Sequence, residues 1–134
     1  MVKFLLDTCI ISYYLEGDKN VIKHIHDKPI TELAISVITI FEIEYGFELK
    51  NKKTLYDKWR FLSNELCVIN IDKQTAVINA KIRAKLKLTG KTIELADTLI
   101  AATALGHNLI CVTNNTKHFN RIDELTLLDW SISD

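Results

Sequence analysis

The chain has 134 residues, enough for a single domain with a real core. Its hydrophobic share of 48% is at the globular average and excludes a disordered chain. Lys plus Arg and Asp plus Glu balance at 17 each, so the net charge is zero and a nucleic-acid partner must be argued from local clusters.

The N-terminal run meets an acid at position 7, too soon for a signal peptide or a membrane span. Residues 2–6 form a short apolar run, and Asp7-Thr8 can start a helix to about Leu15. A second helix is predicted over Lys19–His26 and a short strand over residues 33–35. Ser36 is a good N-cap for the next helix, residues 36–49. Residues 55–66 are amphipathic, with Trp59, Leu62 and Leu66 on one face. Residues 67–71 read as a strand, and Asp72 can cap the helix Lys73–Leu88. That helix carries two apolar ridges, Ala76/Ala80/Ala84 and Ile78/Ile82/Leu86, which predict a helix wedged between neighbours and ended by Gly90. A second strongly apolar helix follows over residues 95–105, then strands over 109–113 and 125–128. One proline, four glycines and no repeat or linker keep residues 1–134 a single domain. Strands alternating with helices predict an α/β layered fold with a mainly parallel sheet. The odd, widely spaced Cys9, Cys67 and Cys111 show no zinc or redox spacing and suit a reducing cytosol.

Four positions stand out for chemistry. Asp7 follows the first strand and Asn115 closely follows the strand at 109–113. In an open parallel sheet, ligands bind beyond the carboxyl ends of strands. The alternative is local: Asp7 starts a helix and Asn115 makes a turn. On the helix 36–49, Glu44 and Glu48 share one narrow edge and are expected to face water. Glu42 falls with Ile38, Tyr45, Gly46 and Leu49 in a wide apolar arc, where a carboxylate needs a partner. Asp97 repeats the problem among Ile93, Ile100, Ala101 and Ala104, in the first turn of its helix, where the dipole favours negative charge. A structural ion pair would explain either acid alone. Two acids on apolar helix faces and a third at a strand end call for a common cation, and oxygen-only donors point to Mg²⁺ or Mn²⁺ rather than zinc. Glu94 is expected to favour its helix N-terminus, Cys9 to be a small packing residue, and His24 and His26 to lie at the surface.

Basic residues gather at Lys50, Lys52, Lys53, Lys58 and Arg60, and again at Lys81, Arg83, Lys85, Lys87 and Lys91. Singly they read as solvated helix surface; as clusters they could track an RNA backbone. There is no glycine-rich phosphate loop and no nucleophile elbow.

Four segments, in order, carry a resemblance: F-L-L-D-T, S-V-I-T-I-F-E-I-E-Y-G, G-K-T-I-E-L-A-D-T-L-I-A-A-T-A-L and V-T-N-N-T-K-H-F. Together they resemble the PIN-domain ribonucleases, and within them the VapC-type toxins of toxin–antitoxin pairs, over nearly the whole chain. The resemblance implies a three-layer PIN-like fold with helices flanking a mainly parallel sheet. It implies that Asp7, Glu42 and Asp97 are acidic metal ligands, with Asn115 in a fourth position where many relatives carry Asp. Thr113 stands where the family often has a hydroxyl, and Cys9 replaces the usual Asn or Ser. The implied activity is Mg²⁺-dependent endoribonuclease cleavage, with Mn²⁺ a possible substitute, of tRNA or another structured RNA. The products carry a 5′-phosphate and a 3′-hydroxyl. The implied partner is a VapB-type antitoxin and the implied location cytoplasmic. The alternative is a catalytically impaired PIN-like module that binds RNA without cutting it. A phospho-accepting receiver domain fits less well, because Asp7 stands alone and Glu42 goes unexplained. The apolar circumference of the helix 36–49, Phe41, Phe47 and Ile40 included, predicts a homodimer.

Overall fold

The computed structural model describes residues 1–132. Its elements follow in chain order as β1 (Phe4–Leu6), α1 (Thr8–Glu16), α2 (Lys19–His26), a 3-10 turn (Ile30–Glu32), β2 (Leu33–Ser36) and α3 (Val37–Leu49). Then come α4 (Lys53–Glu65), β3 (Cys67–Ile69), α5 (Lys73–Leu88), α6 (Leu95–Gly106), β4 (Ile110–Val112), α7 (Thr116–Phe119) and β5 (Leu127–Leu128). The caps fall where the sequence places them. The Ser36 hydroxyl accepts from the Ile38 N–H at 3.0 Å, and the Asp72 carboxylate accepts from the Thr75 N–H at 2.8 Å. Gly90, at φ 69°, ends the α5 turn in the left-handed region.

The five strands are all parallel, in the order β3-β2-β1-β4-β5. Phe4 pairs with Leu33 on one side and with Ile110 on the other, so β1 is the central strand. The order reverses beside β1, and the carboxyl ends of β1 and β4 open there onto a crevice, the position where open α/β sheets bind ligands. Alternation along the strands divides the core. Leu6, Ile35 and Val112 join the cluster under α1, α2 and α4, while Leu5, Ala34 and Cys111 join the one under α5 and α6. This is the α/β layered architecture the alternating elements predict, in the three-layer form the resemblance implies. Among the described residues, no helix is long and apolar enough to cross a membrane.

Two readings of single helices are corrected. In α5 only one ridge is covered. Ile82 and Leu86 pack into the core, and Ile78 lies so close over Gly106 that a Cβ there would sit 3.2 Å from its Cδ1. Ala76, Ala80 and Ala84 face solvent, because α5 packs on α6 and lies in the outer layer. In α3 the buried positions are Thr39 and Ile43, whereas Phe41, Tyr45 and Leu49 are exposed. The arc expected to face the core is therefore largely outside it, and Glu42 sits at its half-buried border.

Glu44, expected in water, is half-buried. It accepts from the Tyr56 hydroxyl at 3.0 Å and from the Trp59 indole N–H at 2.6 Å, fixing α4 against α3. Trp59 is fully buried, so its N–H has no water to turn to. Glu44→Ala is expected to cost about 1–3 kcal/mol and to lower the melting temperature by roughly 4–12 °C. Glu44→Gln, which keeps an acceptor, should recover most of that loss in a thermal melt.

His24 is also not a free surface group. Its ring stacks on Trp130 at 5.2 Å, and the Lys28 ammonium lies 4.3 Å from the Trp130 ring. This holds the segment after β5 against α2. The Ser131 carbonyl accepts from the Asn20 amide at 3.1 Å, and the Ser131 hydroxyl accepts from the Asn114 amide at the same distance.

Candidate active site

Asp7 is both a helix cap and a candidate site residue. It is 5% exposed, at the mouth of the crevice. Its Oδ1 accepts from the Thr8 N–H at 2.8 Å, capping α1. Its Oδ2 accepts from the Thr113 hydroxyl at 2.7 Å and from the Cys9 thiol at 3.4 Å. Burial pushes the Asp7 carboxyl above the ordinary aspartate range, and the hydrogen bonds from Thr113, Thr8 and Cys9 offset part of that rise.

Cys9 therefore does more than fill space. Its sulfur also accepts from the Asn114 N–H at 3.4 Å, tying α1 to the loop after β4. Burial, and then the Asp7 charge, push this thiol up to about 11, so it stays a protonated donor to the carboxylate.

Glu42 is reached through a residue that sequence reasoning passed over. The Thr8 hydroxyl donates to Glu42 Oε1 at 2.6 Å and lies 3.1 Å from Thr39 Oγ1. A threonine at the first position of a helix carries no signal in sequence that its hydroxyl faces another helix. Asp97, in the first turn of α6, is half-buried. Its carboxyl is pushed up to about 6 by burial first, then by the charges of Asp7, Glu42 and Glu94. Every charge acting on it is negative. Glu94 thus belongs to the acidic field as well as preceding α6, where its side chain makes no capping bond.

The two basic clusters leave these acids alone. The Arg83 guanidinium donates to the Ile93 carbonyl at 3.2 Å and lies 3.3 Å from Thr98 Oγ1, securing the start of α6. Lys85 pairs with Asp123. Among the described residues, no site acid has an ion-pair partner, so structural pairing does not explain their burial.

Asn115 is brought near through its backbone. Its N–H donates to the Thr113 hydroxyl at 2.9 Å, and its side-chain amide lies 3.0 Å from His118 Nδ1. The carboxamide is thus engaged with α7, a four-residue helix too short to leave a periodic signal in sequence. Thr113 is fully buried; its hydroxyl donates to Asp7, accepts from the Asn115 N–H and lies 3.6 Å from the Cys9 sulfur.

These residues can be tested for a divalent cation by their donor chemistry. Asp7, Glu42 and Asp97 offer carboxylate oxygens and are buried or half-buried, and the charges of Asp7 and Glu42 raise the cost of ionising Asp97. A hard dication relieves that repulsion and takes oxygen donors. Among the described residues, no three acidic, cysteine or histidine groups stand close enough together to ligate one ion. Glu42 is turned onto Thr8 and Asp7 onto Thr113. Both partners are neutral hydroxyls, which hold the carboxylates without neutralising them, so the donor set suits a hard dication by its chemistry and not by converged geometry.

The PIN domain family model matches residues 4–125. The tRNA(fMet)-specific endonuclease VapC of Salmonella typhimurium is 35% identical, with 97% of this chain and 99% of that protein covered. The protein of the same name from Shigella flexneri is 32% identical, with 98% of this chain and all of that protein covered. Among solved structures, a chain of the DNA-bound VapBC complex of Salmonella typhimurium superposes with a TM-score of 0.90 at 29% identity, covering 97% of this chain and 99% of that one. The chain belongs to the PIN-domain family, among its VapC-type members.

Proposed function

We propose that this chain is a divalent-metal-dependent endoribonuclease toxin, held in check by a VapB-type antitoxin. The observation that carries this reading is Asp97, half-buried with its carboxyl pushed up by burial and then by the charges of Asp7 and Glu42, with no countercharge on any of the three among the described residues. Asp7, Glu42 and Asp97 would hold Mg²⁺ or Mn²⁺, which when bound supplies Lewis-acid neutralisation of the phosphodiester and an activated water. Thr113 and Cys9 orient Asp7 from one side, and Thr8 orients Glu42 from the other. Asn115 sits at the rim as a fourth oxygen donor, an amide where a carboxylate would bind more strongly. The similarity of relatives named tRNA(fMet)-specific endonuclease VapC supports tRNA or another structured RNA as the substrate. The VapBC complex among the matching structures supports the antitoxin.

Incubation of purified protein with total RNA, with and without Mg²⁺, tests the activity. New ends bearing 5′-phosphates are expected only with the metal, and sequencing them names the RNA. RNA that is bound but left whole with Mg²⁺ present would favour the impaired binding module instead.

The homodimer belongs to the same proposal. Phe41, Tyr45 and Leu49 lie one helical turn apart on α3 and are 64%, 56% and 67% exposed. Such a stripe marks an interaction surface. Light scattering of the antitoxin-free protein at micromolar concentration should give twice the chain mass, and a Phe41→Glu variant should give the monomer.

A further inference from the structure

A groove of about 260 Å³ leaves the acidic crevice between α1 and α3. Thr8 and Glu42, which hydrogen-bond to each other, line it together with Lys50 and Lys52. Leu15, Gly46 and Phe47 line it as well. Glu42 and Gly46 are one turn apart on α3 and Lys50 follows at its C-cap, so carboxylate and ammonium groups line the same groove.

Gly46 is the informative residue. A glycine inside a helix costs stability relative to alanine, and this one has no internal reason to be there. Its φ is not in the left-handed region, and nothing in the chain lies within 4 Å of where a Cβ would stand. The space over its backbone is open and faces the groove, so it is available to a molecule from outside.

We infer that this groove is the substrate-strand subsite. One nucleotide flanking the scissile phosphate lies against Gly46 and Phe47, and the next phosphate meets Lys50 and Lys52. This rests on the ribonuclease reading, and it adds where the strand runs and what shapes specificity. The groove, about 260 Å³, has room for a single base. The charge order also suits a strand, with the reacting phosphate at the acids and the following one at the lysines. Glu16, exposed on the α1 wall, leaves the Lys50 and Lys52 side as the path for phosphate. Phe47 is half-buried, its ring fixed edge-on by Tyr56 at 5.1 Å, which gives a base a rigid partner.

The test compares wild type with Gly46→Ala, Gly46→Leu and the double variant Lys50→Ala/Lys52→Ala. Gly46→Ala should melt higher than wild type. Gly46→Leu should raise the KM for RNA cleavage at least tenfold while keeping the wild-type Mg²⁺-induced rise in melting temperature. The double lysine variant should flatten the salt dependence of binding to a fluorescein-labelled single-stranded oligoribonucleotide. Wild-type KM in Gly46→Leu overturns the inference. So does a Gly46→Leu variant that cuts normally but no longer retains a co-expressed antitoxin, which would assign the groove to the protein partner. Should wild type cut no RNA at all, the ribonuclease reading fails by itself. Oligoribonucleotide affinity, lower in Gly46→Leu or unchanged, then decides the groove separately.

Discussion

Asp97→Asn is expected to make the metal-free protein more heat-stable and to abolish RNA cleavage. The substitution is nearly isosteric and removes one charge from a site where every neighbouring charge is negative. In the folded chain the Asp97 carboxyl sits at about 6, against 3.8 for the free side chain, so the folded state binds this proton more tightly. Between those values the folded state carries more protons than the unfolded one, and stability falls as pH rises. Metal-free wild type should therefore lose melting temperature between pH 4 and pH 7, and Asp97→Asn should lose less. Asp7, whose carboxyl is also raised, acts in the same direction and leaves a residual slope. Mg²⁺ should stabilise wild type by mass action and the variant far less. Cleavage should drop at least about a hundredfold, since a lost ligand removes several kcal/mol of charge stabilisation. A variant that melts lower and still cuts RNA would return Asp97 to a structural role.

Thr113→Val should damage stability and chemistry together. Valine keeps the volume of this fully buried side chain but removes the donor to Asp7 and the acceptor for the Asn115 N–H. Leaving those groups unpaired costs about 1–3 kcal/mol, toward the upper end where the acceptor is charged. The hydroxyl is also the foremost influence holding the Asp7 carboxyl down against burial. Its loss should shift the acidic limb of the cleavage pH profile upward, because Asp7 then ionises later. Thr113→Ser should restore the profile with only a modest loss of melting temperature. An unchanged pH profile in Thr113→Val would mean that this hydroxyl does not govern the ionisation of Asp7.

What sequence revealed was whatever breaks a pattern. Asp97 interrupts an apolar helix and Asp7 ends an apolar strand, so both stand out without coordinates. Ser36 and Asp72 were legible as caps because their bonds are local, two and three residues away. Interactions across elements were not legible. Glu44 looks like a solvent residue on its own helix, since Tyr56 and Trp59 reach it from α4. The alanine ridge of α5 suggested a second neighbour, but periodicity reports only that a face is apolar, never whether another layer covers it. Glu42 lay in an arc whose exposed and buried parts have the same composition. Thr8 and Cys9 became informative only once α1 was brought against α3 and the loop after β4.

The central position of β1 also bears on protein synthesis. The strand made first gains one neighbour when β2 emerges and its other only with β4, more than a hundred residues later. The Asp7 N–H donates to the Val112 carbonyl at 2.9 Å, and the Asp7 carboxylate waits for Thr113. A chain released by the ribosome before residue 112 keeps Asp7 at an unfinished sheet edge, with neither bond made. Assembly of the acidic crevice thus waits for synthesis through β4.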